Sequence, residues 1–139
     1  MQSSFNNKFK LISLPKITDP RGNLTFIQNP SQIPFSIKRV FLTYDVPGGE
    51  IRGGHAYKTQ QEVIVALSGS FDVVIVNRDK SEERIILNRS YNAIYLPAYT
   101  WRYMENFSTN ALSLHLCNNE YNEGDYIRNF DDFIKIVDK

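Results

Sequence analysis

Residues 49–69 read Gly49-Glu-Ile-Arg-Gly-Gly-His-Ala-Tyr-Lys-Thr-Gln-Gln-Glu-Val-Ile-Val-Ala-Leu-Ser-Gly69, and their spacing governs how the rest of the chain is read. His55 and Tyr57 are two residues apart, one full strand period, so on a strand both side chains project from one face. Four residues separate Tyr57 from Glu62, which opens the apolar run Glu62–Leu67, and six more lead to Gly69. Outward from this stretch, short runs rich in β-branched and aromatic residues recur at Leu24–Gln28, Ile37–Tyr44, Phe71–Asn77, Glu83–Leu87, Ala93–Leu96, Trp101–Asn106 and Ala111–Cys117. The breaks between them have turn chemistry: Asp19-Pro-Arg-Gly-Asn, Asn29-Pro-Ser, Val46-Pro-Gly-Gly, Ser68-Gly-Ser and the charged Asn77-Arg-Asp-Lys-Ser-Glu-Glu. This rhythm predicts an all-β antiparallel barrel or sandwich. Only the end departs from it. Tyr126, Phe130, Phe133, Ile134 and Val137 recur at three-to-four spacing, which predicts an amphipathic C-terminal helix over Asp125–Val137.

Composition limits the partners. The 139 residues, 42% hydrophobic and 13% aromatic, fit one domain over 1–139 with a core of its own. Sixteen basic against fifteen acidic residues leave a net charge of +1, without the basic excess that drives binding to nucleic acid or a membrane surface. Small molecules or a second copy of the chain are the expected partners. A single cysteine, Cys117, excludes an intramolecular disulfide and suits a small buried core residue in a reducing cytoplasm. The start, Met1-Gln-Ser-Ser-Phe-Asn-Asn-Lys, has no apolar leader core, and no apolar run approaches the roughly 18 residues of a bilayer span. A cytoplasmic location is expected.

The pattern Gly49, His55, Tyr57, Glu62, Gly69 resembles the first metal motif of the cupins, with Tyr57 where those barrels have a second histidine. The cupins' later half-motif is matched by Pro97-Ala-Tyr-Thr-Trp-Arg102 followed by Asn106, with Arg102 where a third histidine stands. An arginine is permanently cationic and has no lone pair to donate, so the resemblance implies the barrel with no metal and no other cofactor. Four separated segments make it more specific: Pro34-Phe-Ser-Ile-Lys-Arg-Val-Phe, Ile51-Arg-Gly-Gly-His-Ala-Tyr-Lys, Leu67-Ser-Gly-Ser and Tyr121-Asn-Glu-Gly-Asp-Tyr-Ile-Arg-Asn-Phe-Asp. Together they resemble the dTDP-4-keto-6-deoxyglucose 3,4-ketoisomerases over nearly the whole chain. That resemblance implies a cupin jelly-roll β-barrel with a short C-terminal helix. It also implies a homodimer with N-terminal strand exchange, for which Phe9-Lys-Leu-Ile-Ser-Leu is suited, and action on a dTDP-linked ketosugar that feeds 3-amino-3,6-dideoxysugar synthesis. The chain departs from the family pattern at Tyr57, often a histidine there, while Arg102 falls where a histidine or an arginine is common.

Moving a ketone from C4 to C3 requires removal of the C3 proton, an enediol or enediolate, and reprotonation at C4. An imidazole, with an ordinary pKa near 6.5, takes and returns a proton near neutrality, which assigns the base to His55. Tyr57, on the same face, relays a proton between the sugar oxygens or fills the barrel mouth. Arg52 and Arg102 suit an enediolate oxygen or a pyrophosphate, since a guanidinium is a fixed fork of donors. Arg21 and Arg39 are further substrate-binding candidates carried by the resemblance. Glu62, in the old carboxylate-ligand position, is expected to hydrogen-bond the His55 ring or pair with an arginine. Tyr95, Tyr99, Trp101 and Tyr103 supply rings on which a base stacks. His115, in the apolar run Leu112-Ser-Leu-His-Leu-Cys, has no motif partner and reads as a core residue. Two competing readings remain open, a 3,5-epimerase of the same substrate, suggested by Arg52-Gly-Gly-His55, and a noncatalytic sugar-binding cupin.

Overall fold

The structure is a computed structural model and describes residues 8–138; the leader reading above falls on residues 1–7, outside the described residues. Every strand pairing is antiparallel, as expected for strands joined by short turns. In chain order the strands are β1 (Lys10–Ser13), β2 (Ile17–Asp19), β3 (Gly22–Leu24), β4 (Arg39–Tyr44), β5 (Arg52–Tyr57) and β6 (Glu62–Ser68). They continue with β7 (Phe71–Val76), β8 (Glu82–Leu87), β9 (Asn92–Leu96), β10 (Trp101–Glu105), β11 (Leu112–Cys117) and β12 (Tyr126–Ile127), followed by the helix α1 (Phe130–Val137). One sheet has the order β1-β9-β6-β11-β4, and the facing sheet has β12-β5-β10-β7-β8. This is the jelly-roll arrangement of two packed sheets.

Between the sheets lies a core of Ile64 and Ala66 from β6, Phe71, Val73 and Ile75 from β7, Ile94 and Leu96 from β9, and Met104 from β10. The long apolar run of β6 is buried on both faces. Its other face, Val63 and Val65, is covered by Leu14, just after β1, and by Ile33 and Phe35 from the strand-free segment before β4. That segment includes most of the run Leu24–Gln28, expected as a strand; β3 ends at Leu24, and Ile27 packs on this cluster instead. A third cluster sits outside the second sheet, where Phe133 and Val137 of α1 pack on Ala56, Trp101 and Ile127.

The C-terminal element is shorter than the apolar spacing predicts. The Asn129 side chain accepts the Asp132 N–H at 3.0 Å and starts the helix there, with Asp131 and Asp132 favourable in its first turn. Upstream, a single 3₁₀ turn at Glu123–Asp125 is anchored by the buried Asp125 carboxylate, which accepts the Thr59 N–H, the Thr59 hydroxyl and the Gln60 N–H at 2.9, 2.9 and 3.0 Å. This clamp lays β12 on β5, so Tyr126 opposes Tyr57 as a strand residue and is no part of the helix.

The first strand, β1, pairs with β9 of its own chain and completes that edge, where the sequence reading had the Phe9–Leu14 segment completing a neighbour's sheet. The hairpin β2–β3 is different: all six of its residues are exposed and it joins neither sheet.

Candidate functional site

One cavity of about 230 Å³ opens between the two sheets, lined by residues of β4, β5, β6, β10, β11 and β12. Strand alternation decides what faces it. On β10, Arg102 and Met104 point in, while Trp101 packs under α1 and the Tyr103 hydroxyl donates to Glu82 outside the barrel. Arg102 opposes His55 on β5, and by the period of two Tyr57 follows on the same face. The rings of His55 and Tyr57 meet edge to face, with centroids 4.8 Å apart.

Arg52 needs a further device. It is three residues from His55, an odd number, so a regular strand would send it to the opposite face. The register shifts between Arg102↔His55 and Met104↔Arg52, an extra residue being accommodated on β5 where Gly53 has φ +77°. The bulge returns Arg52 to the inner face, and a φ in this region favours glycine. The pair Gly53-Gly54 is therefore what makes Arg52 and His55 share one cavity.

Glu62 is almost wholly buried, 2% exposed, and both its oxygens are engaged. The Arg102 Nη2 donates to Oε1 at 2.5 Å, and His115 Nδ1 is 2.5 Å from Oε2. The sequence reading offered Glu62 either His55 or an arginine; an arginine partner is present, and the imidazole partner is His115 instead of His55. A carboxylate only accepts, so Nδ1 of His115 carries the hydrogen. His115 opposes Ile64 of β6 and Phe41 of β4, stacks on Phe41 at 4.2 Å, and reaches the Ser113 hydroxyl from Nε2 at 2.8 Å. It is buried as the core reading had it, but it has a motif partner and lines the cavity. Arg102 completes the cluster by donating to the Thr100 carbonyl and lying over the Tyr57 ring, 4.9 Å from its centroid.

The lining residues missed as site residues include His115, Tyr126 and Arg128. The Tyr57 hydroxyl donates to that of Tyr126 at 3.4 Å, the Tyr126 ring also meets His55 at 5.1 Å, and Arg128 covers Tyr126 at 4.1 Å. Of the rings proposed for stacking, Tyr95, Tyr99, Trp101 and Tyr103 are absent from the lining; Phe41 and Tyr126 are the aromatics beside Tyr57. Arg39, on the inner face of β4, is next to the cavity, between the rings of Phe41 and Tyr121 at 5.1 and 5.4 Å. Arg21 lies outside it, on the exposed β2–β3 turn, with its guanidinium on Asp19 at 2.8 Å and its side chain 90% exposed. A larger cavity of about 620 Å³, bordered by Phe9, Arg78, Trp101 and Val137, contains no histidine. Both histidines of the chain line the smaller one. Among the described residues no group of three or more His, Cys, Asp or Glu is placed to hold a metal ion, and no helix is long and apolar enough to cross a membrane.

The chain matches the family model FdtA, described as WxcM-like, C-terminal, over residues 7–138. It is 38% identical over 130 residues to the TDP-4-oxo-6-deoxy-alpha-D-glucose-3,4-oxoisomerase of Aneurinibacillus thermoaerophilus, covering 94% of this chain and 93% of that one. The chain belongs to the FdtA family of sugar 3,4-ketoisomerases. Among solved members, the 3,4-ketoisomerase of Helicobacter canadensis superposes with a TM-score of 0.89 at 36% identity, over 94% of this chain and 98% of its own. QdtA, a sugar 3,4-ketoisomerase from Thermoanaerobacterium thermosaccharolyticum solved in complex with TDP, has a TM-score of 0.90 at 34% identity over 94% of each chain. A mutant of that enzyme was solved in complex with TDP-4-keto-6-deoxyglucose.

The electrostatics of this FdtA-family cavity follow from its geometry. Burial and then the nearby Arg102 charge push the His55 imidazole down to about 3, so near neutral pH its ring is uncharged with a free lone pair, but it is a weaker base than the ordinary imidazole expected from the sequence. Burial pushes the Glu62 carboxyl up, but Arg102 and His115 outweigh it and hold the group at about 2, ionised. Burial, reinforced by Glu62, pushes the Tyr57 phenol well up, so it stays a neutral hydroxyl that donates and accepts together. Burial likewise pushes the Cys117 thiol up to about 12, in accord with an inert core residue.

These shifts give a pH dependence of stability with a definite sign. The unfolded chain protonates histidine near 6.5 and glutamate near 4.5, above the folded values of about 3 for His55 and about 2 for Glu62. The unfolded state binds more protons in both windows, so stability falls as pH drops from about 6.5 towards 3, more steeply below about 4.5. Denaturant melts between pH 8 and 4 check this. The native protein loses stability from pH 6.5 downward, and His55→Asn flattens the part between 6.5 and 4.5; an unchanged slope in that variant contradicts the buried neutral imidazole.

Proposed function

We propose that this chain converts TDP-4-keto-6-deoxyglucose to a TDP-3-keto-6-deoxyhexose by proton transfer through an enediolate, with His55 as the base. The observation that carries the reading is one cavity in which a neutral imidazole faces a guanidinium across the β5–β10 pair, in a chain whose relatives are named 3,4-ketoisomerases. In this reading His55 takes the proton from C3, and its electron pair moves through the new C3–C4 double bond onto O4. Arg102, held by Glu62, and Arg52, brought in by the bulge, stabilise the charge on O4. The hydroxyl proton on O3 passes to O4, with the Tyr57 phenol as carrier and the Tyr126 hydroxyl as its neighbour. The His55 imidazolium then returns its proton to C4 and the ketone stands at C3. Atoms and charge balance without a further reactant.

A cavity of about 230 Å³ is below the roughly 300–1,000 Å³ of ordinary ligand sites, so it takes the sugar and leaves the nucleotide at the rim. Arg128 at the rim, with Arg39 beside it, suits the diphosphate, and Tyr121 and Tyr126 offer rings for the base.

A homodimer with exchange of an N-terminal element belongs to the same proposal, with the hairpin β2–β3 as the exchanged piece. A two-stranded hairpin is marginal by itself in water. Ile17 and Leu24 on it, and Val40, Leu42 and Tyr44 on the outer face of the edge strand β4, are all exposed, with Leu42 at 49%. Pairing the hairpin of one protomer with β4 of another covers both sets and closes an open edge. Arg21, remote from its own cavity, meets a substrate only across that interface.

Two measurements test these statements. Proton NMR of the native protein with TDP-4-keto-6-deoxyglucose is expected to give a 3-keto species; washout of label at both C3 and C5 indicates 3,5-epimerisation, and saturable binding without turnover a noncatalytic cupin. In the same assay His55→Asn abolishes exchange at C3 while TDP affinity stays within about threefold, and Tyr57→Phe lowers turnover by about 10²-fold if the phenol carries the proton. Exchange at the native rate in the His55 variant removes the base assignment. For assembly, light scattering at micromolar concentration is expected to report twice the 16.1 kDa chain mass for the native protein and one chain mass for Leu42→Arg; a native monomer contradicts the exchange.

A further inference from the structure

The mechanism above uses one of the two histidines. The other is held more tightly than packing requires. Three strands fix the His115 ring: Phe41 of β4 stacks on it with an interplanar angle of 8°, Ser113 of β11 meets Nε2 at 2.8 Å, and Glu62 of β6 meets Nδ1 at 2.5 Å. Ser113 is fully buried, so this Ser–His–Glu chain has no access for a substrate acyl group and serves no nucleophilic chemistry.

We propose that His115 is a positioning residue for the ketoisomerase reaction, holding Glu62 so that Glu62 in turn fixes the Arg102 guanidinium where charge develops on the sugar oxygen. The proposal rests on the ketoisomerase reading of this cavity. The terminal torsion of a glutamate is broad, so a carboxylate gripped at one oxygen turns freely about its axis. Two grips define its plane. The Nδ1–H of His115 supplies the second grip, and the Arg102 Nη2 on Oε1 then has one orientation available, with Nη1 on the Thr100 carbonyl. These two bonds occupy two of the five guanidinium N–H donors and leave others for the substrate. A donor array set in advance stabilises an oxyanion without reorganising at the moment of reaction, and supporting hydrogen bonds of this kind are worth about 10–100-fold in activity in metal sites built on the same logic. The stack on Phe41 and the bond to Ser113 keep the donor itself from swinging.

Steady-state kinetics on the full chain test the assignment, with TDP affinity measured separately by calorimetry. His115→Phe keeps a ring against Phe41 but leaves one Glu62 oxygen without a donor; kcat is expected to fall about 10–100-fold with TDP affinity within about threefold. His115→Asn places an amide N–H near the position of Nδ1–H, and is expected to restore kcat to within about tenfold of native with an unaltered kcat against pH profile. If the asparagine variant is impaired as badly as the phenylalanine one, or loses a limb of the pH profile, the imidazole carries protons itself and the positioning role is overturned. Native turnover in His115→Phe also overturns it. Should the phenylalanine variant not fold, the asparagine variant decides alone: within about tenfold of native supports the role, and a larger loss overturns it. A native protein with no turnover defeats the ketoisomerase reading itself, and is told apart because it is measured before any variant.

Discussion

The carboxylate of Glu62 is the constraint on which the cavity depends. It is a buried charge, and a buried charge is tolerated only when it is paired and hydrogen-bonded. Arg102 and His115 meet that requirement from β10 and β11, so the group that sits between them also ties the two sheets together at the floor of the cavity. Removing either partner of such a pair leaves an uncompensated charge, at a cost of about 3–5 kcal/mol in comparable cases. The same arrangement shapes the chemistry. Burial and the cation beside His55 depress its pKa and keep the ring uncharged with its lone pair free, while the anion beneath keeps the cation in place.

The second constraint is backbone geometry. Alternation along β5 and β10 places His55, Tyr57 and Arg102 together at no cost, but Arg52 arrives only through the bulge at Gly53. Tyr126 and Arg128 arrive through Asp125, whose carboxylate caps the β5–β6 turn and lays the short β12 against β5. Each of these devices spends a special residue, a glycine or a buried acid, on aiming a side chain that regular strand geometry would send elsewhere.

That division explains what was legible in the sequence. Strand content, the barrel and the group His55, Tyr57, Glu62 and Arg102 were readable because they follow period-two alternation and a motif spacing. His115 was not, since its partners Glu62 and Phe41 are 53 and 74 positions away and only the β6-β11-β4 order brings them together. The signal present was modest: Ser113 and His115 are polar residues on one face of an otherwise apolar strand. Tyr126 was hidden by a coincidence, because it falls in step with Phe130, Phe133 and Val137. Asn129 followed by Asp131 and Asp132 is an N-cap signature that would have started the helix after it. The aromatics Trp101 and Tyr103 flank Arg102, and alternation alone should have sent them to the opposite face. Arg21 came from the resemblance and not from spacing, and its own chain gives it no cavity.

The most direct test of the Glu62 account is turnover of Glu62→Gln. An amide oxygen accepts from one partner, while its NH₂ group meets a donor that it cannot satisfy, so Arg102 and His115 are no longer held by one group. The account predicts a loss of about 10²-fold or more in kcat for TDP-4-keto-6-deoxyglucose, with TDP binding retained within about threefold. Native turnover in that variant contradicts it.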